Sequence, residues 1–478
     1  MMRTTIPRQT LSQLSDWLAS SMGLNFPVER SGDLERGIAA AAPAFGLPSA
    51  ESCANWLLST PPTRSQIETL ASYLTIGETY FFRDECCFKA LEMNVLPELI
   101  HARMENERRL RIWSAGCCTG EEPYSIAMLL DRLIPDAHAW HLAILATDIN
   151  PAFLSKASAA VYPRWSFRST SGMAKSMTGY FRRVSESRYE VKPGIRKYVS
   201  FSYLNLADDI YPSMTNNTNA MDIIICRNVM QYFTADQSER VCKKFQDALV
   251  DGGWLIVAPA ETWVQPRQGL KMVEFPGAIF YQKRADESSR ASIPSPARIS
   301  PKFAAASLPH PLGNRAAKAP DVKQTETRKA AVSIPAVPAI EPVSCQEARD
   351  YANQGKLTQA AACCETAIAA NRVDPIPRYL LAVIQQEQGR YDQATQSLKH
   401  ALYLDPAFVL AHMALGNLYT STGRPREARR SFKNALDLLL CLSGEEVVPE
   451  SDGLNAGRLA EIVAALLASL DGIETVNA

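Results

Sequence analysis

Between residues 108 and 284, five short apolar runs alternate with stretches of helical periodicity such as SERVCKKFQDAL. The runs are RLRIWSA, WHLAILATD, YVSFSYLN, MDIIICRN and GGWLIVAP. Strands that alternate with helices need crossover connections. The expected class is therefore α/β, a mostly parallel sheet with helices on both faces. Ligands in such sheets bind outside the carboxyl ends of the strands, so the residues that close these runs are the first place to look for chemistry.

The first run leads into WSAGCCTGEEPYSIAMLL, residues 113–130, an apolar segment followed by a Gly-containing turn and a helical pattern. The stretch lacks both GxGxxG and GxxxxGK[ST], which removes the main support for a dinucleotide or triphosphate site. A helix N-terminus attracts anions, but Glu121 and Glu122 would occupy that field and repel a phosphate. A ligand with cationic groups and hydroxyls would be welcome instead. Glu122 has two readings that remain open: ligand contact, or the N3 acid of a capping box with Thr119 as N-cap. Asp148 ends the second run, 28 residues beyond Gly120. An acid there is placed for ribose hydroxyls, although a strand-ending Asp also serves as a turn former. MDIIICRNVMQYF delivers Arg227 and Asn228 at the end of a buried strand and Tyr232 just after it, with Thr234 and Gln237 able to cap the next helix. Ahead of the sheet lies IGETYFFRDE. At least two of Tyr80, Phe81 and Phe82 are expected in the core, and Arg83 beside them is suited to clamp a carboxylate through paired N–H donors.

On either side of this segment the pattern changes. Leu11, Leu14 and Leu18, then Ile67, Leu70 and Leu74, keep 3–4 spacing and predict a small helical domain over 1–75. Residues 285–342 are rich in Pro, Ala and Ser without periodicity and read as a flexible linker. Beyond it Gly355, Gly389 and Gly423 recur every 34 residues, and Ala360, Ala394 and Ala428 keep the same interval, as do Ala367, Ala401 and Ala435. Gly at a turn and small Ala at helix contacts, at this period, resemble the tetratricopeptide repeat. The expected form of 343–478 is an all-α solenoid offering a protein-binding surface, closed by the amphipathic stretch LAEIVAALLASL.

Lys+Arg and Asp+Glu balance at 50 each, so the overall charge points neither to nucleic acid nor to an anionic membrane surface. No apolar run approaches the ~18 residues of a membrane span. The eleven cysteines are odd in number, include three adjacent pairs and form no CxxC, which suits reduced thiols in a cytoplasmic protein. His138 and His141 make a lone HxxH with no third ligand nearby, so no metal site is expected.

Taken in order, ETYFFRD, WSAGCCTGEEPYSIAM, ATDIN, LNLAD and CRNVMQYF resemble the chemotaxis receptor methyltransferases, the CheR-type enzymes. The resemblance covers roughly residues 10–284 and is most specific over 75–284. It implies a Rossmann-like S-adenosylmethionine methyltransferase sheet over 76–284, with a small β-subdomain at about 176–200. The implied activity is methyl esterification of glutamate side chains on the cytoplasmic helical domain of a chemoreceptor. S-adenosylmethionine is the implied cosubstrate, no metal is needed, and the implied location is the cytoplasm, at membrane receptor arrays. Carried over residue by residue, Gly77, Thr79, Arg83, Glu122, Asp148, Asn205, Leu206, Arg227 and Asn228 stand at cofactor-contacting positions. Arg83 and Tyr232 stand where the family places the substrate carboxylate.

Three features depart from the pattern. Gly77 occupies a position where Asn is usual. The arginine-rich docking helix of well-known members is matched by LERGIAAAAPAFGL, in which Arg36 is the only arginine. The turn in TGYFRRVSESRYEVKPGIRKYVSF is short, which favours recognition that does not depend on a receptor tail peptide. The repeat module is expected to bind a further protein or a second copy. The competing reading is a non-catalytic adaptor that keeps the cofactor fold as a scaffold and recruits partners to a receptor array. Heat of S-adenosylhomocysteine binding separates the two.

Overall fold

The computed structural model describes residues 6–59, 63–104, 108–168, 177–214, 216–261, 269–284, 345–451 and 453–476. The residues read as a linker, 285–342, lie outside these.

The apolar runs become strands β1 (Arg109–Ala115), β2 (His141–Asp148), β6 (Val199–Tyr203), β7 (Met221–Cys226) and β8 (Leu249–Val257). Together with the terminal hairpin β9 (Leu270–Phe275) and β10 (Ala278–Lys283) they form one sheet in the order β6-β2-β1-β7-β8-β10-β9. The first five are mutually parallel and β10 runs antiparallel to β8. Every residue of β1 and β7 is buried, as expected of central parallel strands covered on both faces. The order reverses between β1 and β7, which makes their carboxyl ends the crevice of the fold.

Helices α1 (Arg8–Met22), α2 (Ser31–Ala41), α3 (Ala50–Ser59) and α4 (Arg64–Leu74) build an N-terminal bundle with its own apolar core around Leu14, Leu18, Ile38 and Leu70. Thr63 and Gln66 form a complete capping box at the start of α4. The bundle is fastened to the sheet: the Asn150 side chain donates to Thr75 Oγ1 at 2.9 Å, and the Asn25 amide donates to the Tyr232 carbonyl at 2.7 Å. A second, three-stranded antiparallel sheet has the order β3 (Val161–Pro163), β5 (Arg188–Val191), β4 (Phe181–Arg183). The small sheet thus takes in β3, upstream of the segment quoted for it, while Val199 already begins β6 of the main sheet.

Three helix pairs follow residue 345: Cys345–Asn353 with Leu357–Ala370, Ile376–Glu387 with Tyr391–Leu404, and Val409–Ser421 with Pro425–Leu440. Each pair turns on a glycine in the left-handed region, Gly355, Gly389 and Gly423 at φ of 74°, 72° and 72°, where a Cβ would be strained. Ala360, Ala394 and Ala428 are fully buried where the helices meet. A last helix, Ala456–Val476, closes the stack with Leu459, Val463 and Leu470 inward. The repeat helices and residues 6–284 pack as one unit. Among the described residues, no helix is long and apolar enough to cross a membrane.

Candidate active site

At the carboxyl ends of β1, β2 and β7, roofed by the N-terminal bundle, lies a cleft of about 1110 Å³ that opens to solvent. Its walls include Thr79, Arg83, Glu122, Asp148, Asn205, Leu206, Arg227, Asn228 and Tyr232, so nine of the ten residues singled out from the sequence share one cavity. Gly77 is the exception and stands outside the lining. A Cβ there would come within 2.6 Å of Phe153 Cζ, and Phe153 does line the cleft. The absent side chain at 77 thus makes room for an aromatic ring.

The turn after β1 brings backbone close to the cleft. Gly116 has φ 79°, and a Cβ there would lie 2.4 Å from Val229 Cγ2. Gly120 has φ 93° and is itself the N-cap of the next helix, α7 (Glu121–Leu133). The Thr119–Glu122 capping box is therefore not formed. Thr119 Oγ1 donates to Glu121 at 2.6 Å, and Glu122 turns inward to accept from Ser114 Oγ at 2.8 Å. Once glycine takes the cap position with positive φ, Glu122 moves to the second helical position and its carboxylate faces the sheet. Of the two readings, the capping box is thus ruled out, and Glu122 lines the cleft. The other proposed cap is half formed: Thr234 Oγ1 accepts from the Gln237 amide at 3.2 Å, while the Gln237 side chain accepts from Arg240.

Asp148, the last residue of β2, is buried and accepts from the amides of Cys118 at 2.8 Å and Asn150 at 2.9 Å. Burial pushes its carboxyl up to about 6, against the pull of those amides. Burial likewise raises Glu122, opposed by Arg227, Ser114 and Arg83. Arg227 leaves the end of β7 and is held on three sides. It donates to Asp84 Oδ2 at 3.0 Å and to the Arg83 carbonyl at 2.9 Å, and it stands 3.5 Å from Glu122. Its side chain is 4% exposed, and its Nε is buried without a hydrogen-bond partner.

Arg83 is half-buried, and its Nη1 donates to the Glu78 carbonyl at 2.5 Å. Phe81 and Phe82 are core, whereas Tyr80 is half-buried under the Arg168 guanidinium. Asn228 has φ 59°, and its amide is one of three, with those of Gln231 and Ala258, that Glu261 accepts at 2.8 to 3.1 Å. Tyr232 ends a short 3₁₀ turn and lies under Arg30 of the N-terminal bundle. Several contributors escaped the sequence reading. Asp84 was within reach, since it ends the quoted FFRD. Ser114, Phe153, Glu261 and the bundle residues Met22, Asn25, Phe26 and Arg30 carry no local signal. Among the described residues no group of three or more His, Cys, Asp or Glu is placed to hold a metal ion.

Residues 77–279 match the family model described as CheR methyltransferase, SAM binding domain. The chain is 34% identical over 200 residues to the chemotaxis protein methyltransferase of Listeria monocytogenes, covering 42% of this chain and 71% of that protein. This chain belongs to the CheR methyltransferase family. The methyltransferase is also 33% identical over 225 residues to chemotaxis protein methyltransferase 1 of Pseudomonas aeruginosa, covering 45% of this chain and 77% of that one. The similarity to the probable biofilm formation methyltransferase WspC of the same species is 28% over 376 residues, 77% of this chain and 86% of that protein. A tetratricopeptide repeat model matches residues 385–437, within the repeat helices.

S-adenosylmethionine is the cofactor of this family domain, and the cleft suits it. The lining pairs the carboxylates of Glu122 and Asp148 with the Arg227 guanidinium, and the stretch WSAGCCTGEEPYSIAMLL lacks both GxGxxG and GxxxxGK[ST]. A sulfonium ligand that carries hydroxyls, an ammonium and a carboxylate would meet charges of opposite sign in that set.

Proposed function

We propose that this methyltransferase esterifies glutamate side chains on the cytoplasmic helical domain of a chemoreceptor. The observation that carries the reading is the gathering of Asp148, Glu122, Arg83 and Arg227 around one solvent-open cleft. In this reading Asp148 takes the ribose hydroxyls, and Thr79, Glu122, Asn205, Leu206, Arg227 and Asn228 complete the cofactor wall. When bound, S-adenosylmethionine supplies a methyl group activated by its sulfonium. The chain's own task is placement. Arg83, half-buried at the rim, and Tyr232 hold the incoming glutamate carboxylate. That group is already ionised at neutral pH, so no strong base is required of the protein. Positioning and partial exclusion of water by the N-terminal bundle supply the acceleration.

Receptor recognition follows from what this chain presents. Helix α2 carries a single arginine, Arg36, which is paired with Asp33. The turn between β4 and β5 closes within four residues, Val184 donating to the Arg188 carbonyl at 3.0 Å. Docking therefore relies on surfaces nearer the cleft mouth and is independent of a receptor tail peptide. The protein acts in the cytoplasm, at receptor arrays.

Transfer of labelled methyl groups to purified cytoplasmic fragments of the cell's receptors tests the reading, with mass spectrometry to locate the modified residue. Base-labile label on glutamate is expected. Arg83→Ala is expected to abolish labelling with the melting temperature unchanged, because its side chain makes a rim bond to a carbonyl. Label on residues other than glutamate, or undiminished labelling by the variant, would refute it.

A further inference from the structure

A chain of hydrogen bonds links the wall of the cleft to the repeat module. Asn205 is buried in the cleft wall and its amide is fully engaged. Its Nδ2 donates to the Ser21 carbonyl and to Asp208 Oδ1, both at 2.8 Å, and its Oδ1 accepts from the Ala207 amide at 3.1 Å. The second oxygen of Asp208 accepts from Arg458 Nη2 at 3.2 Å, and Arg458 belongs to the closing helix of the repeat stack. One hydrogen-bonded path therefore runs Arg458–Asp208–Asn205, from the last helix of the chain to the cleft.

The rest of the interface keeps that path in place. The side chain of Glu387, at the end of the Ile376–Glu387 helix, is 3% exposed and meets both Arg109 and Arg111 of β1 at 3.0 Å. The Gly389 turn sits against His141 at the start of β2, where a Cβ would fall 1.8 Å from the imidazole. Met214, in the loop before β7, packs on the apolar core of the repeats. The module is thus seated on the amino ends of the strands while Arg458 reaches round to the loop that follows β6.

We infer that Arg458 is a positioning residue for cofactor binding, acting through Asp208 on Asn205, so that the repeat module sets the shape of the cofactor wall. Two further cations act on Asp208 from residues 6–284; Lys244 donates to the carbonyls of Leu206 and Asp208 and to Asp209, and Arg64 pairs with Glu68. Burial raises the Asp208 carboxyl, and Arg458 is foremost among the groups that oppose this, ahead of Lys244. Losing the guanidinium leaves the carboxylate less compensated and free to turn from Asn205.

The inference rests on the cleft being the cofactor site, and the experiment separates the two. Full-length chain is titrated calorimetrically with S-adenosylhomocysteine, and methyl-transfer rates are measured in parallel. Arg458→Ala is expected to weaken binding at least about fivefold and to raise KM for S-adenosylmethionine with kcat within about twofold. Arg458→Lys should recover part of the loss. Glu461→Ala, which removes the exposed partner of Arg458 at 3.2 Å, should change neither. In an Asp208→Asn background, Arg458→Ala should add little, since the path is already cut. Binding by R458A within about twofold of wild type, or an undiminished effect of R458A in the D208N background, would overturn the inference. No heat with the wild-type chain would overturn the cofactor reading itself.

Discussion

Asp148 is buried and receives two backbone amides, and the burial dominates, pushing its carboxyl up to about 6. Its ionised form is the one that accepts hydroxyl donors from both directions, so cofactor affinity should fall as pH drops through that value. If only the ionised form binds, S-adenosylhomocysteine should bind about fourfold more weakly at pH 5.5 than at pH 7.5. Isothermal titration across that range checks this, and Asp148→Asn should bind weakly with the pH dependence removed. Arg227 invites a different test. It sits between Asp84 and Glu122 at 4% exposure, so Arg227→Met leaves two acids facing each other without their cation. A loss of about 3 kcal/mol or more in urea denaturation is expected, on top of any loss of cofactor binding.

The β1–α7 turn shows how an element, rather than a residue, assigns roles. With Gly120 as a positive-φ cap, the helix starts at Glu121, so Glu121 faces Ser166 and Thr119 while Glu122 faces Ser114 and Arg227. Adjacent glutamates at one helix end therefore do unlike things: one fastens a neighbouring loop, the other lines the cleft. Helix α8 (Pro151–Ala159) makes the same point at position 77. Asn150 caps it through the amides of Ala152 and Phe153, and the Phe153 ring lies so close to Gly77 that a Cβ there would require the ring to shift. Restoring the usual family residue with Gly77→Asn should destabilise the chain by about 1–3 kcal/mol, read from the denaturation midpoint. Combining it with Phe153→Ala should recover most of that loss.

Across the whole molecule, the Glu387 cluster couples the repeat stack to the sheet. Arg109, Arg111 and Glu387 are all buried, and Asp222 accepts from the Arg111 amide and pairs with Arg103, so charges of both signs alternate through the interface. Breaking a buried pair from one side leaves an uncompensated charge and costs about 3–5 kcal/mol. Glu387→Ala should therefore lower the unfolding midpoint of the 6–284 core as well as that of the repeats, followed by hydrogen exchange in β1. Exchange confined to the repeat helices would contradict a shared interface.

Much of this was legible in the sequence because it is local. Strand–helix alternation, the glycine at each repeat turn and the polar residues that end β1, β2 and β7 follow from short-range pattern, and the order of the motifs pointed to the family. Three things were decided only by tertiary structure. The cap position moved from Thr119 to Gly120, since a one-residue shift in helix start depends on backbone φ and on what Ser114 offers. The vacancy at Gly77 has its reason in Phe153, 76 residues away in the chain and adjacent in space. The repeats, expected as an added module beyond a flexible linker, pack on the catalytic sheet, where the buried Arg109–Glu387–Arg111 cluster joins residues about 280 positions apart, and no local pattern encodes such a pairing.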